Sequence, residues 1–416
     1  MSFKNKIQNN LYKNCDICIF IFFIISLVVD NINGLIMQTI GFETVSLGQI
    51  SRILFILYFL VIDFFFLSSQ ELVEIIKKYF FVIFIIFLPL IYFFNHSTFM
   101  GLINDYLYLT KLFYFFLITF SLKLLYDKKI FSVLTIDKII NTYTVLAPLT
   151  IILPYICGIG FEAYTNSGYR GFYYANNEIN IVLICTYILT TDNLFENFSF
   201  KYFSIYVINI VGLLLIGSKT SIIVIILTLI IYLYKFRKKI FYNKNRFFAF
   251  ICSIGIIFII FKKFLSNIIE RLIFFYDMLV VQGNGTFITF LLSNRDKRLA
   301  PAFFQNFISN DNGILNFFVG IGNYAQTNAK DMNSLMELDF FDTFLWFGIF
   351  MACLVLFLYI KIIYTAFRYR GLFKYKFCYI IVFAFSLIAG HVWFSALSAT
   401  MFSLIAAKLI LREDVE

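Results

Sequence analysis

Long apolar runs, each about as long as a bilayer is thick, recur along most of this chain. A helix needs about 20 mostly apolar residues to cross the hydrocarbon core. Of the 416 residues 61% are hydrophobic and only 14% are charged, whereas soluble domains carry about 25% charged residues. Because a water-soluble core cannot hide this much apolar surface, the chain is predicted to be an all-α, polytopic integral membrane protein.

Twelve segments have the length and composition of membrane spans. They are residues 15–32, 50–68, 79–95, 102–125, 139–157, 176–192, 202–217, 219–235, 247–261, 342–364, 375–390 and 394–411. A basic stretch, MSFKNKIQNNLYKN, precedes the first span and no small-residue cleavage site follows it, so an uncleaved span is expected rather than a signal peptide. The predicted organisation is residues 1–261 with nine spans, a large loop at 262–341, and residues 342–416 with three spans.

Lys and Arg predict the orientation, because they concentrate on the cytoplasmic side of membrane proteins. With the N-terminus inside, 23 of the 34 basic residues fall in inner segments and nine in outer ones, leaving Arg52 and Lys111 within spans. Both termini are therefore expected in the cytoplasm and the long loop on the external face. Membrane topology accounts for the net charge of +10, so a nucleic-acid partner is not expected.

No motif for a cofactor or a metal is found. The chain has no P-loop, and Gly320–Ile321–Gly322 is a lone GxG without the strand and helix that a dinucleotide site requires. No His, Cys and Asp residues have metal-ligand spacing. The seven cysteines lie in or beside apolar runs and imply no disulfide framework.

Cations in the predicted external loops are the first candidate site residues. Arg170 lies in GYRGFYYANNEI, Lys219 in IGSKTS between two spans, and Arg295 and Arg298 in SNRDKRLAPAFFQNF of the long loop. In a helix, two residues three apart share a face. A cation held at the membrane surface costs free energy unless water or an anion compensates, and Arg binds diphosphate oxygens bidentately. These residues predict a diphosphate site; the alternative is that each is a solvated loop charge.

Acidic residues at the outer end of the tenth span are the candidate catalytic groups. Glu337, Asp339 and Asp342 lie in MNSLMELDFFDTFLWFG, and carboxylates beside apolar residues tend to have raised pKa values that suit a general base. The alternative is that they stabilise the helix dipole. His391, in AGHVWFS at the outer turn between the last two spans, is the second candidate base; the alternative is a structural histidine.

The long loop carries seven basic and seven acidic residues together with aromatic patches. Loops of this length without structure are uncommon unless they are functional. The aromatic residues predict short helices lying against the membrane; they are Phe303, Phe304, Phe307, Phe317 and Phe318.

About twelve spans, IGSKTS at a span junction and a late, long external loop together resemble the O-antigen polymerase (Wzy-type) and O-antigen ligase superfamily. Ser218–Lys219 stands where the superfamily has Ser-Arg, which keeps the charge. Arg170–Gly171 resembles the start of its Arg-Gly stretch, but Asn176–Asn177 follows without the family's Pro. The SNR motif ending at Arg295 and the glycines of VGIG resemble its loop Arg and its Gly-x-Gly.

One departure separates the two branches of the superfamily. Ligases carry a His-Asn pair about eleven residues before the Gly of the following span. Counting back from Gly348 leads to Glu337, so this chain offers Glu where a ligase offers His. The resemblance therefore favours a polymerase.

The resemblance implies a GT-C-type membrane glycosyltransferase of the bacterial inner membrane. Its substrate would be an undecaprenyl-diphosphate-linked oligosaccharide in membrane lipid, and its partners would include a chain-length regulator protein. Inverting transfer would move the growing glycan to a new lipid-linked unit, without nucleotide sugar, cofactor or metal. Glu337 would be the base, with His391 second and Asp339 beside it. The diphosphate ligands would be Arg170, Lys219, Arg295 and Arg298.

A lipid-linked oligosaccharide flippase is the main alternative, and an O-antigen ligase is another. Alternating-access transporters are commonly built from two similar halves with polar sites near the midplane. No half-to-half similarity is visible here, and the intramembrane charges are few: Asp63, Lys111 and Asp105. A late, charged external loop suits chemistry at the outer face better than transport.

Overall fold

A computed structural model describes most of the chain, and most of the described residues are helical. The described residues are 3–41, 47–68, 70–71, 74, 80–96, 98–164, 167–248, 250–255, 270, 273–328, 336–368, 371–390 and 392–411.

The long helices of the first part of the chain are α1 (Phe3–Ile40), α2 (Leu47–Phe66), α3 (Phe80–His96), α4 (Phe99–Asp127), α5 (Val133–Ile156), α6 (Asn176–Glu196), α7 (Phe200–Ile216) and α8 (Lys219–Tyr242). A two-stranded antiparallel hairpin, β1 (Glu162–Tyr164) and β2 (Ser167–Tyr169), lies between α5 and α6. The predicted long loop contains π-helical turns at Asp277–Gln282 and Phe304–Ile308, and helices α9 (Phe287–Leu291), α10 (Arg295–Phe303), α11 (Gly313–Val319) and α12 (Asn323–Asn328). The last three long helices are α13 (Asp339–Phe367), α14 (Phe373–Ile388) and α15 (Ala396–Ile410).

Among the described residues, six helices are long and apolar enough to cross a membrane, as a polytopic membrane protein requires. They are Asn14–Ile40, Leu47–Phe66, Phe99–Asp127, Val133–Ile156, Lys219–Tyr242 and Asp339–Phe367. The total of twelve spans and the GT-C architecture stay predictions. The predicted span at 247–261 lies partly outside the described residues, which are helical at 250–255.

Hydroxyl side chains fix where several helices begin. Thr98, Ser132, Ser199, Ser218 and Ser395 each accept a hydrogen bond from a backbone N–H of the first turn that follows. Such N-caps satisfy amide groups that have no partner within the helix. The caps explain why α5 begins six residues before the apolar run that predicts it.

Helices α6 and α15 lie at the centre of the bundle. Helix α6 packs against α5, α7, α8, α14 and α15, and nearly every side chain from Ile179 to Phe195 is buried. Its buried polar residues bond inside the protein: Thr190 and Thr191, for example, donate to backbone carbonyl groups of the preceding turn. A helix enclosed by protein on all sides can carry polar groups that a lipid-facing helix cannot.

The loop helices fold back onto the first turns of α13. The rings of Phe303, Phe307 and Phe317 surround Phe344, with centroid distances of 5.0, 5.0 and 5.2 Å. Of the five aromatic residues expected to lie against the membrane, Phe303 and Phe307 are partly buried on the protein. The other three are exposed: Phe304, Phe317 and Phe318. Aromatic spacing predicted the short helices but not this division.

Candidate active site

Arg295 and Glu337, 42 residues apart in the chain, form an ion pair. A terminal guanidinium nitrogen of Arg295 donates to Oε2 of Glu337. The Arg295 side chain is 11% exposed and that of Glu337 is 36% exposed. Two residues predicted separately, one as a diphosphate ligand and one as a general base, are thus in direct contact. A contacting guanidinium favours the ionised carboxylate, which is the form that can accept a proton.

A hydrogen-bonded turn holds the backbone of Arg295. Thr286 caps α9 through a reciprocal pair of bonds with Thr289. The hydroxyl of Thr289 donates to Asp296 at 2.6 Å, and its backbone carbonyl accepts from the N–H of Asn294 at 2.9 Å. Asn294 has a φ of +70°, so the chain turns sharply just before α10. Thr289 therefore binds the residues on either side of Arg295, and these contacts fix the start of α10.

Glu337 sits on a strained backbone just before α13. Its φ is +57°, a conformation that costs a residue with a side chain roughly 1–3 kcal/mol. Asp342 holds the turn, because its carboxylate accepts hydrogen bonds from the N–H groups of Met336 (2.9 Å) and Leu338 (3.1 Å) on either side of Glu337. Strain of this kind persists only where surrounding contacts fix it.

The turn between α14 and α15 closes over Glu337 from the other side. A Cβ on Gly390 would lie 2.0 Å from the carbonyl oxygen of Glu337, so only glycine fits. The carboxylate of Asp339 accepts from the N–H groups of Val392 (2.8 Å) and Trp393 (3.0 Å). Asp339 is fully buried, so its contacts join two segments of the site. His391, the second candidate base, lies outside the described residues.

Lys219 is the first residue of α8, directly after a sharp helix–helix corner. Gly217, with a φ of +66°, ends α7, and Ser218 caps α8. A cation at a helix N-terminus opposes the helix dipole. The ammonium group donates to the carbonyl of Phe290 at 3.3 Å and lies 4.1 Å from the centre of its ring. Lys219 therefore joins this corner to α9, close in sequence to Arg295.

Asn180 supports the same corner and was not anticipated from the sequence. Its amide nitrogen donates to Ser218 (3.0 Å) and Thr220 (3.1 Å), and its carbonyl oxygen accepts from Ser221 (2.7 Å). All of Asn180 is buried. The sequence does show a polar amide inside an apolar run, one turn from the start of α6. It could not show the role of this amide, because its partners lie about 40 residues away in the sequence.

Arg170 follows β2 in the loop between α5 and α6. Its guanidinium donates to the carbonyl of Tyr174 and to Oε1 of Gln38, the latter at 3.3 Å. Burial lowers the pKa of Arg170 from its usual value. The loop itself lies on α1, where a Cβ on Gly34 would be 2.1 Å from the carbonyl oxygen of Phe172. Arg298, by contrast, is exposed on α10.

Arg170 and Arg295 each have a buried hydrogen-bond donor without an acceptor in the described part of the chain. Nε of Arg170 and Nε of Arg295 are both buried and have no hydrogen-bond partner among the described residues. A buried donor without an acceptor costs about 1–3 kcal/mol. An oxyanion that reached either guanidinium would supply the missing acceptor.

The glycines of VGIG bind backbone rather than a nucleotide. Gly348, with a φ of +81°, interrupts α13 and frees carbonyl groups of the preceding turn. The N–H groups of Ile321 and Gly322 donate to the carbonyls of Leu345 and Trp346, both at 3.0 Å. A Cβ on Gly320 would lie 2.3 Å from the carbonyl oxygen of Trp346. These contacts fasten the end of the loop to the helix that follows Glu337.

Residues 283–415 match the family model described as O-antigen ligase like membrane protein. This segment runs from just before α9 to the end of α15, so it contains Arg295, Arg298, Glu337 and Asp339 but not Arg170 or Lys219. The match supports the O-antigen polymerase and ligase superfamily, and with it a membrane enzyme of polysaccharide assembly; it does not distinguish polymerase from ligase. No curated protein and no solved structure matches the chain. Among the described residues, no group of three His, Cys, Asp or Glu side chains could hold a metal ion.

Proposed function

We propose that this protein polymerises undecaprenyl-diphosphate-linked oligosaccharide units at the outer face of the bacterial inner membrane. The premise is the match of residues 283–415 to the O-antigen ligase-like family. The observation that carries the proposal is the ion pair between Arg295 and Glu337. It joins a cation suited to a diphosphate to a carboxylate suited to a proton, at the end of the bundle where the predicted external loop folds back.

In the proposed reaction, Glu337 removes the proton from the acceptor hydroxyl on the new lipid-linked unit. The acceptor oxygen forms a bond to the anomeric carbon of the growing glycan as the bond from that carbon to the carrier diphosphate breaks. Charge develops on the departing diphosphate, and Arg295 and Arg170 stabilise it. A single displacement inverts the anomeric configuration. His391 is the alternative base, and Lys219 and Arg298 are further diphosphate ligands.

Substrate binding would rearrange the ion pair. A diphosphate carries more charge than one carboxylate and offers several oxygens to the guanidinium fork. It would draw Arg295 towards itself and supply an acceptor for the buried Nε–H. Glu337 would then lose its cationic partner as the acceptor hydroxyl arrives. Asp339 and Asp342 act as positioning residues in this scheme, because their carboxylates bind backbone N–H groups.

Two observations favour polymerisation over the alternatives. Counting back from Gly348, the resemblance puts Glu337 where a ligase of this superfamily carries His, which favours a polymerase. The loop helices pack on α13 and bring an acid and a cation together, an arrangement that acyl or glycosyl chemistry uses and a flippase does not need. A chain-length regulator stays a prediction of the resemblance.

The test is deletion of the gene followed by gel analysis of the surface polysaccharide. We expect a single repeat unit on the terminal lipid acceptor in place of a ladder, with the ladder restored by the intact gene. Complete absence of capped acceptor would instead indicate a ligase or a flippase. Purified protein incubated with a lipid-linked repeat unit and the terminal lipid acceptor separates these two, because only an enzyme transfers the glycan and releases the carrier diphosphate.

A further inference from the structure

A dense run of positive charge lies at the end of α8, far along the chain from the ion pair described above. Six of the twelve residues from 235 to 246 are Lys or Arg, and the sequence has no acidic residue between Glu196 and Glu270. The six are Lys235, Arg237, Lys238, Lys239, Lys244 and Arg246. Charges of one sign at this density repel one another, so a nearby anion stabilises them.

The end of α6 holds two of the six basic residues. Lys235 forms an ion pair with Asp192 at 2.7 Å, and the guanidinium of Arg246 donates to the backbone carbonyl of Glu196 at 2.7 Å. In the part of the chain that the structure describes, none of the other four is in an ion pair. All four are exposed, and together they are called the α8 basic surface: Arg237, Lys238, Lys239 and Lys244.

The α8 basic surface begins where the lipid-facing side of α8 ends. Residues three or four apart lie on one face of a helix. Ile223, Ile226 and Ile230 have this spacing and are 55%, 52% and 60% exposed. Tyr234 is next on the same face, and Arg237 follows with its guanidinium carbon 4.5 Å from the centre of the Tyr234 ring. One face of α8 therefore passes from aliphatic to aromatic to basic, the order in which residues meet hydrocarbon, interface and headgroups.

The length of α8 puts Arg237 at the membrane surface opposite to Lys219. Helix α8 is one of the helices long and apolar enough to cross a membrane. Eighteen residues separate Lys219 from Arg237, which is about 27 Å at the rise of an α-helix. The hydrocarbon core is about 30 Å thick. Because Lys219 lies beside α9 at the end of the candidate active site, the α8 basic surface lies at the other end, which the basic residues predict to be cytoplasmic.

A turn at Asn243 keeps Lys244 close to the end of α8. The side-chain oxygen of Asn243 accepts a hydrogen bond from the N–H of Arg246 at 3.3 Å, and a helical segment begins at Lys244. The rings of Phe241 and Phe247, on either side of this turn, are 5.9 Å apart. The four cations therefore form one surface, because the segment that follows α8 folds back against it.

We propose that the α8 basic surface binds the headgroups of anionic phospholipids in the predicted cytoplasmic leaflet. Basic clusters directly beside a membrane span are attracted to anionic lipid, by a factor of roughly five for each Lys or Arg near the surface. The neighbouring rings of Phe241 and Tyr242 are 66% and 95% exposed, and aromatic side chains favour the membrane interface. The inference is independent of the proposed polymerisation, because it concerns the opposite end of the bundle.

The test is native mass spectrometry of the full-length protein in detergent. The probes are phosphatidylglycerol, zwitterionic phosphatidylethanolamine with the same acyl chains, and an oligouridylate as a soluble polyanion. The first variant combines Arg237→Gln, Lys238→Gln, Lys239→Gln and Lys244→Gln. The matched control removes the same charge from four dispersed, exposed lysines of the same predicted side, by Lys123→Gln, Lys129→Gln, Lys138→Gln and Lys201→Gln. A third variant keeps the charge of the surface, by Lys238→Arg, Lys239→Arg and Lys244→Arg.

We expect the first variant to bind phosphatidylglycerol about tenfold or more weakly than the unmodified protein, because several cations are lost together. Its binding of phosphatidylethanolamine should not change. The dispersed control and the charge-retaining variant should bind phosphatidylglycerol nearly as tightly as the unmodified protein. Added salt should weaken this binding in the unmodified protein, because ions screen exposed charges. Thermal stability checks folding; if the first variant does not fold, the pair Arg237→Gln and Lys238→Gln takes its place.

Four outcomes would overturn the inference. Equal affinity of the first variant and the unmodified protein for phosphatidylglycerol would remove the α8 basic surface from lipid binding. An equal loss in the dispersed control would assign the effect to net charge alone. A parallel loss for phosphatidylethanolamine would indicate apolar packing. Preference of the unmodified protein for the oligouridylate would indicate a soluble polyanion as the partner. None of these outcomes bears on polymerisation, which gene deletion and the assay with purified protein test separately.

Discussion

At the scale of single residues, the pairing of Arg295 with Glu337 could not be obtained from the sequence. Motif and charge arguments identified both residues, but as separate groups: Arg295 as a diphosphate ligand and Glu337 as a general base. Their contact depends on the sharp turn at Asn294 and on the backbone of Glu337 at a φ of +57°. Both conformations are held by residues elsewhere in the fold, which no local pattern reports.

The role of Glu337 leads to the first prediction. Glu337→Gln keeps the size and a hydrogen-bond acceptor but cannot take up a proton. We expect polymerisation by the purified protein to fall by about 10²- to 10⁴-fold, the usual loss for a general base, while undecaprenyl diphosphate still binds. His391→Ala should be milder in the same assay. The opposite ranking would make His391 the base and would show that counting from Gly348 misaligns the chain.

The arginines lead to a second prediction. Arg295→Ala and Arg170→Ala should each abolish long chains and leave the amount of protein in the membrane unchanged. Lys at either position should restore activity only partly, because Lys lacks the planar fork. Arg298→Ala, on the exposed face of α10, provides the comparison and should be the mildest. Immunoblots measure the amount of protein and polysaccharide gels measure chain length. Full ladders in both Arg295→Ala and Arg170→Ala would contradict the diphosphate site.

At the scale of elements, helices were predictable and their docking was not. The predicted span at 342–364 lies within α13, and that at 202–217 nearly coincides with α7, because apolar composition alone decides membrane insertion. The break at Gly348 and the folding of the loop onto Phe344 were invisible, since each depends on a partner distant in the sequence. VGIG resembles a family motif in the sequence. Only the structure shows that its backbone N–H groups bind carbonyl groups of α13.

The turn that holds Glu337 gives a third prediction. Gly390→Ala would place a methyl group 2.0 Å from the carbonyl oxygen of Glu337, at a φ of +64°. We expect loss of polymerisation with the protein still in the membrane. Gly371→Ala separates the two causes, because Gly371 has a φ of +91° but no atom within 4 Å of an added Cβ. If the two variants lose equal activity, the backbone angle and not the contact with Glu337 matters.

The exposed face of the loop helices gives a fourth prediction. Ile314 of α11 is 80% exposed, and Phe318 of the same helix stacks on Phe350, on the exposed face of α13, at 5.2 Å. The apolar face of α11 therefore continues the exposed apolar face of α13. A spin label at Ile314→Cys in a cysteine-free protein should collide more with oxygen than with a water-soluble nickel complex. A label at Asp311→Cys, in the polar turn before α11, should show the reverse. If both labels collide more with the nickel complex, α11 lies in water.

At the scale of the whole molecule, the distribution of basic residues predicts one orientation. Reporters fused after Phe241 and after Phe373 should be cytoplasmic, and one fused at Asn310 should be external. In the structure the long loop folds onto the first turns of α13. A cytoplasmic reporter at Asn310 would put the Arg295–Glu337 pair on the cytoplasmic side of the membrane. The proposed polymerisation takes place at the outer face, so the proposed function would fail.

The Arg295–Glu337 ion pair also bears on fidelity. An activated sugar on a diphosphate carrier can react with water as well as with a sugar hydroxyl, and hydrolysis would terminate the polymer. A carboxylate engaged by a guanidinium is a poor acceptor for a proton from water. In the proposed scheme the base becomes available only after a donor has displaced Arg295, so an empty enzyme has little hydrolytic capacity. Glycan length would then depend on how long donor and acceptor stay bound together, and less on protection of the site from solvent.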